Sequence, residues 1–231
     1  DCLSGGRVDI GLAKGYGPRE FAGYGVDQRF AKERQMEAIE IVVGALTTEG
    51  FTYNGKHFQV PYPVTIRPRP MQKPPRMSVA TGGTPDTLDM AARMGLSFYV
   101  PYQGRKVIEK HKENYVKAAR AAGRPEADIQ RLIGEIAVMQ TSYLAPTAEE
   151  SYKEARPAVE WMAECVRSVN KPEDIDKWAP ELQQLLKGQI ERPDRGYEDY
   201  DGYWNAFIYG DPARGIERIQ HLKDAGFENI I

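Results

Sequence analysis

The stretch SVATGGTPDTLDMAARMG, residues 78–95, sets three threonine hydroxyls and two glycines at the start of a helical pattern. Thr84 suits the N-cap, Pro85 the first helical position, where a missing N–H costs nothing, and Asp86 and Thr87 the first turn. A helix start offers unpaired N–H groups and the positive end of a dipole, and Gly82 and Gly83 carry no Cβ to hold an anion off. With the hydroxyls of Thr81, Thr84 and Thr87 as further donors, the chemistry this turn suits is phosphate binding. An ordinary capped loop accounts for the same residues, and the Asp86 carboxylate can itself occupy the positive end. A second glycine-rich turn, GLAKGYG at 11–17, adds Lys14, a point charge suited to a phosphate oxygen, beside Gly15. If both turns follow parallel strands, they share the C-terminal edge of one sheet, where ligands bind. A solvated loop lysine is the plain alternative.

Other reactive side chains form no comparable group. His57, His111 and His221 have no metal-ligand spacing and read as structural, so no metal site is expected. Cys2 and Cys165 lack a CxxC partner, which argues against a zinc site or a disulfide framework and for reduced thiols in a cytoplasmic protein. Tyr197, Tyr200, Tyr203 and Trp204 suit either a lid over an apolar substrate or an aromatic surface or subunit contact. Glu135 and Gln140, in the apolar run 132–144, either project into a barrel interior or fill a layer of it. None of these identifies a general acid or base.

A dehydrogenase pattern is also present. Gly11, Gly15 and Gly17 have the GxxxGxG spacing, and Tyr102 with Lys106 the YxxxK spacing, of short-chain dehydrogenases. Pro101 and Gly104 put Tyr102 at a strand end, and the glycine turn lacks an immediate helix and an acidic residue about 20 positions on. Both matches read as accidents.

The elements that must position the two turns follow from periodicity. RVDIGLA, residues 7–13, alternates as a strand, and from Asp27 the residues Phe30, Met36, Ile39, Val43 and Leu46 recur at helical spacing up to Gly50. FTYNGKHFQV carries Asn54-Gly55 between β-prone arms, a hairpin signal. The following six prolines of residues 61–76 suit an extended surface segment. Thereafter MSVAT, a helix over 84–94, SFYVPY and a helix over 106–122 alternate as a parallel α/β sheet requires. Residues 132–144 supply a further strand, and Thr147 to Glu150 form a capping box for a helix running to about Val169, with Pro157 expected to kink it. Residues 170–204 form a polar excursion, Asp211-Pro212 opens a last helix to Ala225, and FENII begins a fifth parallel strand.

Composition narrows the function classes. The chain has 231 residues, 41% of them hydrophobic, with 31 basic and 33 acidic side chains giving a formal net charge of −2. That is enough for a full core, and it offers no basic footprint for nucleic acid. No window is apolar enough to cross a bilayer as a helix. The first residues, DCLSGGRVDIGLAKGYG, include neither a methionine nor a signal-like run, and the chain reads as beginning within a fold. Five strands are too few for a closed eight-stranded barrel, which leaves an open sheet or a barrel with strands missing.

LSGGRVDIGLAKGY, REFAGYGVD, LTTEGFTYNGKHFQV, RPRPMQKPPRMSVATGGTPDTLDMAARMG and GDPARGIERIQHLKDAGFENII, in that order, resemble the bacterial luciferase-like flavin monooxygenases. The resemblance covers most of the chain outside 170–204. It implies an α/β, TIM-type barrel, incomplete here at about strands 4 to 8, in a single domain over 1–231 with an insertion at 51–76 and an excursion at 170–204. It implies that reduced FMN reacts with O2 to a C4a-peroxide and oxygenates a small organic substrate, with a separate NAD(P)H-dependent flavin reductase as partner and a homodimer as assembly. The residues that match the family's FMN-binding positions are Lys14, Gly15, Thr81, Gly82, Gly83 and Thr87, and Arg34 matches a phosphate-closing arginine after a small shift. The turn at 81–87 is longer than in the luciferase proper. Two relatives of this function share the resemblance: a deazaflavin-dependent hydride-transfer enzyme, whose cofactor also carries a phosphate, and a non-catalytic flavin-binding protein.

Overall fold

The computed structural model describes residues 1–15, 17–101, 105–170, 175–177, 180, 183 and 200–231. In chain order the elements begin with β1 (Asp9–Leu12), α1 (Pro18–Gly23), α2 (Ala31–Thr47), β2 (Phe51–Asn54), β3 (Gln59–Val64) and β4 (Arg76–Ala80). Then come α3 (Pro85–Met94), β5 (Ser97–Pro101), α4 (Arg105–Ala121), α5 (Glu126–Gly134), β6 (Ala137–Met139) and β7 (Ser142–Leu144). The last are α6 (Ala148–Asn170), α7 (Tyr200–Ala206), β8 (Ile208–Gly210), α8 (Pro212–Asp224) and β9 (Asn229–Ile230). The chain divides into two compact units, Asp1–Lys14 with Phe30–Val100 and His111–Ile136, and Gly15–Arg29 with Pro101–Lys110 and Ala137–Ile231.

The first unit is a parallel sheet with helices. β1 pairs with β4, and β4 with β5, all parallel. Met77 and Val79 alternate inward along β4, and Leu88, Ala91, Phe98, Ile129 and Leu132 of the same unit are buried as well. Tyr115 is fully buried on α4, and its hydroxyl donates to the carbonyl of Leu96 at 2.7 Å. That bond satisfies the one polar atom burial would otherwise strand. β2 and β3 form an antiparallel hairpin as expected, but Asn54 pairs with Gln59, so the connection is the four residues 55–58 rather than a two-residue Asn-Gly turn. The reason lies in α2: Glu37 Oε2 accepts from the N–H groups of His57 and Phe58 at 2.9 and 3.0 Å, and Oε1 from that of Lys56 at 2.9 Å. One carboxylate thus organises the whole tip.

In the second unit β6 pairs with β9 and β7 with β8, both parallel. Tyr200, Trp204, Phe207 and Tyr209 pack against Ala155, Val159 and Ala163 of α6. Ser151, fully buried, accepts from the N–H of Gly210 and donates to the carbonyl of Tyr143, tying α6 to both strands. The capping box at α6 is present, with Thr147 and Glu150 each bonding the other's N–H at 3.1 Å. The helix continues through Pro157 to Asn170.

Three expectations about elements are corrected, and one strand is added. Residues 18–23, read as loop, form the short α1, so a helix does follow the 11–17 turn. The helix expected from Asp27 starts at Ala31, because Asp27 Oδ1 accepts from Arg29 N–H and initiates a 3-10 turn at Gln28–Phe30. The strand expected over 132–144 is the end of α5 followed by the short strands β6 and β7. Continuous apolar runs fit a buried strand and a buried helix equally well. β8, a fully buried three-residue strand, had no turn signal before it. Among the described residues no helix is long and apolar enough to cross a membrane, and no three His, Cys, Asp or Glu side chains are grouped to hold a metal ion.

Candidate functional site

The turn after β4 is built by short-range rules. Thr81 continues the ladder by one bond, donating its N–H to the carbonyl of Tyr99 at 3.0 Å, and its Oγ1 then accepts the N–H of Gly83 at 3.0 Å. Gly83 has φ +84°, a left-handed conformation open to glycine at little cost. Thr84 is the extended N-cap residue and Pro85 the first helical residue, as the sequence indicates. The Thr84 hydroxyl does not cap, however. It donates to Thr87 Oγ1 at 2.8 Å, and among the described residues no side chain bonds the first-turn N–H groups. The N–H groups of Thr87 and Leu88 donate to the carbonyl of Thr84 at 3.1 Å, and Pro85 has none, so the first-turn donor left to an external acceptor is the N–H of Asp86. The opposite end is closed: Gly95 is left-handed, and Arg124 donates to the carbonyls of Ala92 and Arg93.

One lysine stands at this site, and a second follows the strand adjacent to β4. Asp86, the carboxylate that can fill the helix start, instead forms an ion pair with Lys32 in the first turn of α2. The ammonium beside it holds Asp86 below the usual carboxylate range. Lys14 follows β1, whose Leu12 is in register with Val79 of β4, so Lys14 and Thr81 each lie two residues past paired positions on adjacent parallel strands. Lys14 is exposed and makes no ion pair among the described residues. Thr81 and Thr87 are half-buried, Gly83 is buried and Gly82 exposed. A helix-start N–H, threonine hydroxyls and ammonium groups are donors of the kind a phosphate takes.

Arg34 is not among them. Its guanidinium lies 4.6 Å from the centroid of the Phe58 ring, a cation–π contact that fastens the hairpin to α2. Lys32, two residues earlier, is the basic side chain of α2 that reaches α3. The only trace of it in the sequence is the basic pair flanking Glu33, and nothing local ties position 32 to position 86. Gly15, in the second unit, has φ +90°, and a Cβ there would lie 3.0 Å from the Phe21 ring. A side chain at position 15 would be both strained and crowded.

The remaining candidates resolve individually. His57 Nε2 donates to the Glu33 carboxylate at 2.8 Å and is nearly enclosed, a structural role. Glu135 does not project from a strand; it ends α5 and accepts from Arg131 at 2.8 Å. Gln140 follows β6, its Oε1 buried without a protein partner among the described residues, beside a cavity of about 20 Å³ lined also by Arg105, Arg218 and His221. Tyr200 and Trp204 are core residues, 7% and 8% exposed, and neither forms a lid or a surface contact. Tyr102, Gly104 and Tyr197 lie outside the described residues, as does the side chain of Tyr203. Cys2 and Cys165 are free thiols.

The comparisons agree with this architecture. The FMNH(2)-dependent dimethylsulfone monooxygenase of Pseudomonas putida is 24% identical over 243 residues, an alignment covering 100% of this chain and 62% of the relative. The crystal structure of monooxygenase RslO1 from Streptomyces bottropensis superposes with TM-score 0.73 at 23% identity, covering 100% of this chain and 62% of that one. An F420-dependent secondary alcohol dehydrogenase, solved with an F420-acetone adduct, superposes with TM-score 0.70 at 15% identity over 97% of this chain and 63% of its own. The chain thus spans less than two thirds of the length of each. These structures share its fold, and a model described as luciferase-like monooxygenase matches residues 1–229, so the chain belongs to the luciferase-like monooxygenase family.

Proposed function

We propose that this chain carries the phosphate end of a flavin site in a monooxygenase that uses reduced FMN and O2 to oxygenate a small organic substrate. The observation that carries this reading is the uncapped start of α3 behind a left-handed Gly83, with the Lys32 ammonium held at it. Thr81, Gly82, Gly83 and Thr87 line the phosphate and Lys14 and Lys32 neutralise it, while Gly15 shapes the turn that carries Lys14. The family, and the similarity to an FMNH(2)-dependent enzyme, make FMN the first choice of cofactor. The bound reduced flavin supplies the electrons that activate O2. The chain's own contribution is to anchor and orient it through groups fixed before it arrives. On this reading β1, β4, β5, β6 and β9 are strands four to eight of a TIM-type barrel, the protein is a homodimer, and an NAD(P)H-dependent reductase delivers the flavin.

A second reading keeps the site and exchanges the cofactor for a deazaflavin that transfers hydride without O2. It is favoured by the superposition on the alcohol dehydrogenase, and the α3 site suits either phosphate. Anaerobic fluorescence titration of the intact protein with oxidised FMN, reduced FMN and the deazaflavin decides between them, followed by admission of air. Preference for reduced FMN with an O2-dependent absorbance transient supports the monooxygenase. Preference for the deazaflavin without a transient supports hydride transfer, and binding of none of the three removes both.

A further inference from the structure

Helix α4 turns one face to the core. Ile108, Tyr115 and Ala119 are completely buried at helical spacing, and His111 occupies the position between Ile108 and Tyr115 on that same face. An imidazole stands where the pattern asks for an aliphatic side chain. It is half-buried, and burial lowers its pKa from the ordinary histidine value. What it lies against is the phosphate turn: a Cβ built on Gly83 would fall 2.0 Å from both Cε1 and Nε2 of the ring. The ring therefore fills the space that any side chain at position 83 would need, directly on the residue whose φ of +84° turns the chain from β4 into α3.

We propose that His111 is a positioning residue for the phosphate turn, its flat ring serving as the seat that fixes Gly83 in its left-handed conformation. This rests on the reading of the α3 start as a flavin phosphate site. Charge at the site comes from Lys14 and Lys32, and the His111 ring supplies the surface against which Gly83 rests. A flat ring can approach a bare Cα more closely than a branched side chain, so Gly83 and His111 are a matched pair. Without the ring the turn gains freedom, and the donors at the start of α3 lose the fixed direction on which recognition of a phosphate depends.

The test measures binding of FMN and of riboflavin, which lacks the phosphate, by fluorescence titration of the intact protein, with the deazaflavin and its dephosphorylated form as a parallel pair. Wild-type protein, His111→Ala and His111→Phe are compared, each checked for its melting temperature. For His111→Ala the affinity for the phosphorylated cofactor falls about tenfold while that for its dephosphorylated form is unchanged, and His111→Phe, which keeps a flat ring, restores most of the difference. Equal loss of affinity for both forms would make the ring a general core residue and overturn the proposal. An unchanged preference in His111→Ala would overturn it as well while leaving the phosphate site standing. A wild-type protein that does not distinguish the two forms would remove the phosphate site itself.

Discussion

Lys32, in the first turn of α2, is ion-paired to Asp86 in the first turn of α3, 54 residues further along the chain. Both side chains are exposed, so the pair adds little to stability. Its consequence is placement, because it keeps an ammonium at the one end of α3 that no side chain caps. Lys32→Met is expected to weaken FMN binding about tenfold and to leave riboflavin binding unaltered, the loss of one charge-assisted hydrogen bond. Asp86→Asn removes that placement and is expected to weaken FMN binding too, by less than Lys32→Met. Titrations of both variants at low and high salt check this, and equal FMN affinity in wild type and Lys32→Met would remove Lys32 from the site.

The hairpin tip depends on ionised Glu37. Burial opposes ionisation of this carboxylate, but the N–H groups of His57, Phe58 and Lys56 outweigh it and hold its pKa below the ordinary value. A group depressed in the folded state stabilises fully above its unfolded pKa, about 4.3 for a glutamate, and loses that contribution as the pH falls through the folded value. Urea midpoints measured between neutral and acid pH are expected to fall on the acid side of that value, and Glu37→Gln is expected to flatten the fall. An acid limb identical in the variant would mean that other carboxylates control it.

Arg124 closes the far end of α3 by donating to two of its last carbonyls, with Asp128 as counter-ion at 3.4 Å. Arg124→Ala is expected to cost about 1–2 kcal/mol, and Arg124→Lys to recover only part, since an ammonium cannot span both carbonyls with a rigid fork. Denaturant unfolding of the two variants measures this. A loss below a few tenths of a kcal/mol in Arg124→Ala would show that water replaces the guanidinium.

Trp204 stacks on Tyr209 with the rings 5.9 Å apart and 10° from parallel, and Arg214 lies 4.8 Å over the indole. A lid residue would alter turnover without altering stability. For this buried indole Trp204→Ala is expected to lose about 3–5 kcal/mol of stability instead. Chemical denaturation is the check, and an unchanged midpoint would return Trp204 to a mobile role.

The sequence by itself determined the features whose causes act within one turn of chain. Thr84 and Pro85 starting α3, Gly95 ending it, the Thr147–Glu150 box and the Asp211 cap all stand where expected, because backbone satisfaction and glycine or proline geometry are local. The two turns beyond β1 and β4 were legible for the same reason, and their adjacency followed from the parallel pairing. Tertiary structure decided which basic residue of α2 attends the turn. Positions 32 and 34 are separated by about 200° around a helix of 3.6 residues per turn, so they face opposite ways, one to α3 and the other to the hairpin. Packing likewise put Tyr200 and Trp204 in the core and divided the apolar run 132–144 between a helix end and two strands. It also set the His111 ring on Gly83, a contact across 28 positions that no local pattern encodes, because it depends on how α4 lies against the sheet.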